Sequence, residues 1–323
     1  MRYLWLKRLI VAGVLLFTFA WLAVWCIAQK PPGPGDAVWQ ARVRDQGWSR
    51  FVKVAGHRFH YLDIGQGRPI LLIHGFADSA YTWHHNLDSL ARAGFRALAV
   101  DLPGIGESPV PSDYPNTVQA LGRTLIAFLD DLGLDRVDVI GNSLGGSLSL
   151  ALAVDYPQRI QRVIVIDPLC YPSIRHTFFA ALADSPPLAF LIKPLIGPWV
   201  FGIGQRLSFH NPELVNRAMI SQRSQPLIRP DFPDHLVRLG RGYISEGFNR
   251  LAKQYGRIPH PTLIIWGATD RVIPMIPQAR RLQADIPGSR LVIMDRAGHL
   301  PHQERPNEFN ELVLEFLNRP PRP

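Results

Sequence analysis

The stretch Val137–Leu150, VDVIGNSLGGSLSL, constrains this 323-residue chain more than any other. A short apolar, β-branched run (Val137, Val139, Ile140) stops at Gly141. Asn142, Ser143, Leu144 and Gly145 then lead into small and apolar residues suited to a buried helix. Strand, abrupt turn and helix, with G-x-S-x-G at the corner, form the pattern of a nucleophile elbow. Such a turn holds Ser143 in a strained backbone conformation, with its hydroxyl exposed at the carboxyl edge of a parallel sheet. Side chains at 141 and 145 would collide across the turn, so glycines flank the serine. The amide of Leu144, at the start of the helix, is placed to donate to a developing oxyanion.

A serine is a poor nucleophile without a base, and the base needs an orienting acid. After an elbow of this kind the order along the chain is nucleophile, acid, base. Asp270 stands just past the apolar strand TLIIW (262–266), in GATDRVIP, and is the expected acid; Asp167, which ends the strand RVIVID, is its rival. The base is expected after the last strand, RLVIM (290–294). His299 fits, directly after Gly298; His302, three residues on, more naturally begins the closing helix with Glu304 and Pro306. A second oxyanion donor should come from the loop after PILLIH, where the amide of Phe76 in His74-Gly75-Phe76 is the candidate.

The remaining core follows the same alternation. Phe51–Val54 and Arg58–Asp63 read as an antiparallel hairpin, and Pro69–His74 and Arg96–Asp101 as strands buried on both faces. Thr117–Leu132 has helical spacing and a stop at Gly133, Asp88–Ala93 is helical by period, and Asn307–Asn318 closes the chain as an amphipathic helix. Strands alternating with helices predict a mostly parallel sheet flanked by helices. Between Pro168 and about His260 the alternation breaks into Pro-, Phe- and Leu-rich helical segments (178–183, 187–196, 212–221 and 232–247). That length exceeds a structureless loop and predicts a helical cap inserted between two sheet strands, over the elbow.

The amino terminus is a separate object. Arg2, Lys7 and Arg8 precede Leu9–Ala28, twenty residues without a charge. A helix of that length rises about 30 Å, enough to cross a hydrocarbon core. An uncleaved transmembrane anchor is expected, with a cleaved signal peptide as the alternative. The positive flank predicts a cytoplasmic amino terminus and a catalytic domain on the periplasmic or extracellular side. KPPGPG (30–35) is a stiff linker. The expected organisation is an anchor or signal peptide at 1–30, a linker and lead-in at 31–50, a core at 51–167 and 261–320, and a cap at 168–260. The formal net charge of +9 is scattered, mostly on arginines, without a dense basic run interleaved with aromatics. That pattern excludes a nucleic-acid partner and suits a surface near anionic lipid. Cys26 and Cys170 predict no disulfide. No H-E-x-x-H, C-x-x-C or clustered Asp/His spacing calls for a metal. The tight loop DLPGIGES (101–108) is no phosphate cradle, because no helix with a lysine follows it.

HGF at 74–76, DLPGIGES at 101–108, GNSLGG at 141–146, WGATDRVIP at 266–274 and AGHLPHQERP at 297–306 together resemble the α/β-hydrolase superfamily. The resemblance spans residues 51–318. It implies Ser143, Asp270 and His299 as a triad, the amides of Phe76 and Leu144 as an oxyanion hole, and no cofactor. A serine at the elbow departs from the aspartate of haloalkane dehalogenases and epoxide hydrolases. With an anchor and an apolar cap, the chain is similar to the monoacylglycerol-lipase and lipid-esterase branch, which implies a serine hydrolase of lipophilic carboxylic esters. GNSLGG also resembles the C–C hydrolases of aromatic ring-cleavage products, although HGFAD at 74–78 lacks their glycine-rich oxyanion loop. A C–C hydrolase, a cofactor-free haloperoxidase and a non-catalytic membrane scaffold are the alternatives to the esterase.

Overall fold

One eight-stranded sheet organises the computed structural model, in the order β1-β2-β4-β3-β5-β6-β7-β8. The structure describes residues 18–19, 22–23, 33, 35–109, 114–171, 197–225, 229, 232–244, 247–273 and 275–319. The strands are β1 Ser49–Val54, β2 His57–Ile64, β3 Arg68–Ile73, β4 Phe95–Val100, β5 Val137–Asn142, β6 Ile160–Ile166, β7 Thr262–Gly267 and β8 Arg290–Met294. β2 runs antiparallel to both β1 and β4, and every other pairing is parallel. The predicted hairpin and the predicted parallel sheet are therefore both present.

Strand runs such as PILLI are apolar throughout because both faces of the sheet are covered. Leu71 and Ile73 of β3 join Leu98, Val139 and Val163 on one face, while Ile70 and Leu72 join Ala97, Ile140 and Ile164 on the other. This is the period of two of a pleated strand, with both halves buried. Before β6 the described residues include the helices α1 Ala37–Asp45, α2 Leu87–Arg92, α3 Val118–Asp131 and α4 Leu144–Asp155. α3 brings Leu121, Leu125 and Phe128 to the first face, and the Thr117 side chain caps it by accepting from the Ala120 amide at 3.1 Å. The chain leaves α3 through Gly133 at φ +65°, the left-handed stop that its position predicts.

Between β6 and β7 the described residues form α5 Pro198–Ser208, α6 Arg217–Ser224, α7 Phe232–Ile244 and α8 Gly247–Ala252. The segments expected to be helical at 178–183 and 187–196 lie outside the described residues. The inserted helices are anchored to the core at several points. The Arg250 guanidinium on α8 forms a two-pronged pair with Asp155 at the end of α4, both contacts at 2.7 Å. Arg223 on α6 is buried, hydrogen-bonds Gln205 and lies 3.5 Å from the Asp78 carboxylate. After β7 come α9 Met275–Asp285, α10 Pro301–Glu304 and α11 Pro306–Asn318. α11 packs Phe309, Val313 and Leu317 on the second face of the sheet.

The expectation of an amino-terminal membrane anchor is corrected here. Among the described residues no helix is long and apolar enough to cross a membrane. Of the uncharged run 9–28, only Thr18–Phe19 and Leu22–Ala23 are described as helical, and the rest lies outside the described residues.

Candidate active site

β5 ends at Asn142, and Ser143 turns the chain into α4 with φ 53° and ψ −113°. This backbone region is sterically unfavourable for any residue with a β-carbon. The turn is so tight that a β-carbon on Gly145 would lie 2.0 Å from the carbonyl oxygen of Ile73, and one on Gly141 2.1 Å from that of Gly145. Hydrogen bonds hold the strained residue in place. The Ser143 amide donates to Ile166 O at 2.8 Å, and the Ser143 carbonyl accepts from the Leu169 amide at 3.3 Å. Ser143 thus stands at the carboxyl edge of the sheet, as the motif predicts.

The loops after β7 and β8 bring the other two residues together. His299 Nδ1 lies 2.8 Å from Asp270 Oδ2, in a buried contact. Asp270 Oδ1 accepts from the amides of Val272 (2.7 Å) and Ile273 (3.0 Å), so the carboxylate is locked within its own turn. With Nδ1–H donated to Asp270, the free imidazole nitrogen is Nε2, the one a nucleophile–base pair requires. His302 is elsewhere: it is fully buried, its Nε2 lies 2.9 Å from Thr82 Oγ1, and its ring stacks at a tilt on Trp83. Burial, reinforced by the Arg223 charge, holds its pKa well below the ordinary imidazole range.

The loop after β3 passes directly over the serine. A β-carbon on Gly75 would lie 3.3 Å from Ser143 Cβ and 3.2 Å from Asn142 Oδ1, so only glycine lets the backbone pass this close without crowding. Phe76 follows with its ring exposed, and Leu144 opens α4 as the first residue after the serine. His74 supports this loop without facing the chemistry. It is fully buried, its Nδ1 lies 2.7 Å from Gly75 O, and its Nε2 accepts from the Leu102 amide at 3.0 Å. Accepting at Nε2 makes the ring neutral, in line with the downward push of burial on its pKa.

Three residues support the site: Asn142 and Glu304, for which the sequence suggested no such role, and Asp167, which it offered only as a rival acid. Asn142 spans two loops, its Nδ2 donating to Ile166 O (3.2 Å) and to His299 O (3.1 Å). Glu304 accepts from the amides of Gly298 and His210, both at 2.6 Å, and so ties the histidine loop to the segment after α5. Asp167, the rival acid, is also here: one ligating atom from each of Asp167, Asp270 and His299 lies within 4.8 Å of the others. The residue after a strand end and the residue before the elbow serine are positions where a polar side chain has to be held, but their partners depend on loops far along the chain.

A second Ser–His–Asp chain lies elsewhere. His60 Nε2 is 3.0 Å from Ser49 Oγ, and His60 Nδ1 is 2.7 Å from Asp101 Oδ2. All three border a cleft of about 1050 Å³ that also meets Tyr81, Glu107 and Arg229 but not Ser143. Burial opposes charge on His60, but the hydrogen bond and charge of Asp101 outweigh it, so its pKa is raised. Ser49 also sits in β1, with no elbow, and Asp101 is committed to the amides of Ala80 (2.7 Å) and Glu107 (2.9 Å). This cluster shapes the DLPGIGES loop and is structural. The distances of a triad do not by themselves make one.

Residues 70–312 match the alpha/beta hydrolase family, and the chain belongs to that family. It is 30 % identical to a 2-hydroxy-6-oxononadienedioate/2-hydroxy-6-oxononatrienedioate hydrolase from Cupriavidus pinatubonensis, over 85 % of this chain and 97 % of that protein. It is 28 % identical to a 2-hydroxy-6-oxo-6-phenylhexa-2,4-dienoate hydrolase from Burkholderia cepacia, over 83 % and 96 % of the respective chains. A solved structure of a meta-cleavage product hydrolase from Pseudomonas fluorescens superposes with a TM-score of 0.70, covering 83 % of this chain and 97 % of that one at 23 % identity. That last likeness speaks for the fold alone. These relatives correct two expectations. An ester-cleaving, lipase-like activity is overturned, because the relatives aligned here over 96–97 % of their length are named as hydrolases of 2-hydroxy-6-oxo-dienoates and -trienoates, not of esters. A membrane-anchored lipid enzyme loses its support with it, since the anchor was half of the argument for a lipid substrate.

Proposed function

We propose that this protein hydrolyses a carbon–carbon bond in a 2-hydroxy-6-oxo-dienoate, the product of opening an aromatic ring. The observation that carries the proposal is the 30 % identity to a 2-hydroxy-6-oxononadienedioate hydrolase over 97 % of that protein's length. In this reading Ser143 is the nucleophile, His299 the base and Asp270 its orienting acid, supported by the 2.8 Å contact between the last two. The amides of Phe76 and Leu144 are the oxyanion donors. The single close approach of Gly75 to Ser143 accounts for how HGFAD can serve without further glycines. Helices α5–α8, inserted between β6 and β7, are the cap in this reading, supported by the His299 amide donating to Ser208 O at the end of α5 at 2.7 Å.

The chemistry follows from the substrate class. Ketonisation of the 2-hydroxy-dienoate moves a proton to C5 and leaves C5 between a 2-oxo-enoate and the 6-oxo group. His299 Nε2 takes the Ser143 proton as Oγ attacks the C6 carbonyl, and the two amides stabilise the oxyanion. Collapse breaks the C5–C6 bond. The electron pair forms C4=C5 and is delocalised through C3=C4 onto the C2 carbonyl oxygen, and the imidazolium returns the proton to that oxygen, leaving a 2-hydroxy-2,4-dienoate of five carbons. Water, deprotonated by His299, then releases the acid from Ser143, so that one water is consumed overall.

The test is turnover of 2-hydroxy-6-oxo-6-phenylhexa-2,4-dienoate, followed by loss of its extended dienolate absorbance, beside p-nitrophenyl esters. The wild-type protein is expected to release benzoate and a five-carbon dienoate in equal amounts. Ser143→Ala is expected to lose roughly 10⁴-fold or more in kcat while remaining folded. A folded wild-type protein that leaves the dienoate intact, yet turns over esters through Ser143, would overturn the proposal.

A further inference from the structure

Asp167 follows β6 at φ 45°, a left-handed conformation that aspartate adopts at a cost, and it is fully buried. Its amide donates to Ile265 O at 3.0 Å, and its Oδ1 accepts from the Gly267 amide at 2.9 Å. No donor among the described residues reaches its Oδ2. The contrast with Asp270 is plain. Asp270 takes three hydrogen bonds, from two amides and from His299, whereas Asp167 takes one. Two carboxyl groups within 4.8 Å of one another, both out of water, do not both carry charge. Asp270, with three hydrogen bonds against one, keeps its charge.

We infer that Asp167 is a neutral carboxylic acid whose O–H is donated to Asp270, which makes it a positioning residue that extends the His299–Asp270 pair by one member without adding charge. The inference rests on the reading of His299 and Asp270 as base and acid. Burial, then the charge of Asp270 and more weakly that of Glu304, all push the Asp167 carboxyl well above the ordinary range, against the single amide of Gly267. The titratable groups that face this point are Asp270 from the loop after β7, His299 from the loop after β8 and Glu304 from α10. The Asn142–Ser143 corner on the remaining side brings none. The functional consequence is a charge count. One carboxylate beside His299 orients and stabilises the transient imidazolium. Two would hold the ring protonated and unable to accept the serine proton.

The first measurement is infrared difference spectroscopy of wild-type protein against Asp167→Asn at neutral pH. The expected result is a protonated-carboxyl carbonyl stretch in the wild type, displaced by ¹³C-aspartate labelling and missing in Asp167→Asn. Absence of the labelled band in the wild type overturns the inference whether or not the variant folds, and no part of this measurement depends on turnover. It therefore stands apart from the question of substrate.

The second measurement is the pH profile of kcat. Asp167→Asn preserves both a donor towards Asp270 and an acceptor for the Gly267 amide, so kcat should stay within about threefold and the acid limb should not move. Asp167→Leu, with neither, should lose about tenfold or more in kcat. If Asp167 were instead charged, Asp167→Asn would lower the basicity of His299 and move the acid limb down by about one pH unit, and that result refutes the inference.

Discussion

The strain at Ser143 can be weighed by replacing one residue in two ways. At φ 53° and ψ −113° the serine lies outside the wells that a residue with a β-carbon prefers, a cost of about 1–3 kcal/mol. Ser143→Ala removes the hydroxyl but keeps the β-carbon, and with it the strain. Ser143→Gly removes both. At an ordinary position glycine is less stable than alanine by about 0.5–1 kcal/mol, because it loses more backbone entropy on folding. Here the relief of strain should exceed that loss and leave Ser143→Gly more stable than Ser143→Ala by about 1 kcal/mol. The bonds that impose the conformation, from the Ser143 amide to Ile166 O at 2.8 Å and from the Leu169 amide to Ser143 O at 3.3 Å, are backbone bonds that both variants retain. For a domain of this size the difference amounts to about 2 °C in Tm, within reach of differential scanning calorimetry on the two proteins side by side. Both variants lack the nucleophile, so no difference in turnover or bound intermediate confuses the comparison. Equal stability, or a less stable glycine variant, would refute the argument that the elbow stores strain.

Two further outcomes follow from the contacts around the site. Asn142→Ala leaves the carbonyls of Ile166 and His299 without the donor that joins them, so it should cost about 1–3 kcal/mol in chemical denaturation and lower kcat more than it raises KM. An unchanged denaturation midpoint would count against the clamp. His84 gives a pH prediction: burial, then the neighbouring His85 and Arg223 charges, lower its pKa to about 3. The folded state therefore holds His84 neutral while the unfolded state takes up a proton below its ordinary pKa, so stability falls as pH drops from about 6.5 towards 3. The slope from this one group is about 1.4 kcal/mol per pH unit near pH 5. His84→Gln should flatten the dependence of unfolding free energy on pH by that amount, and an identical slope in both proteins would contradict it.

Much of this molecule is written locally. The strands that run apolar for five or six residues announce a sheet covered on both faces, because no other arrangement hides consecutive side chains of an extended chain. G-N-S-L-G announces the turn, because only glycine at 141 and 145 avoids collisions near 2 Å. Chain order alone proposed Asp270 and His299, each just beyond a strand, since parallel strands deliver their following loops to one edge of the sheet, and the structure brings the two into contact. The choice of His299 over His302 was legible in the same way, and the buried hydrogen bond of His302 to Thr82 accounts for its other role.

The sequence read in isolation misjudged the substrate and the amino terminus, for a related reason. A twenty-residue uncharged run satisfies the length requirement of a membrane span, and a lipid substrate was inferred from that run and an apolar cap, but neither reports the chemistry of a ligand. Tertiary structure alone decided the partners of Asn142, Glu304 and Asp167, which are joined across 24, 94 and 100 residues of chain. It also separated Ser49–His60–Asp101 from Ser143–His299–Asp270, two sets of the same residue types. Hydrogen-bond partners, burial and charge are properties of the assembled loops. No local pattern of residues carries them, and they are what distinguishes these two sets from one another.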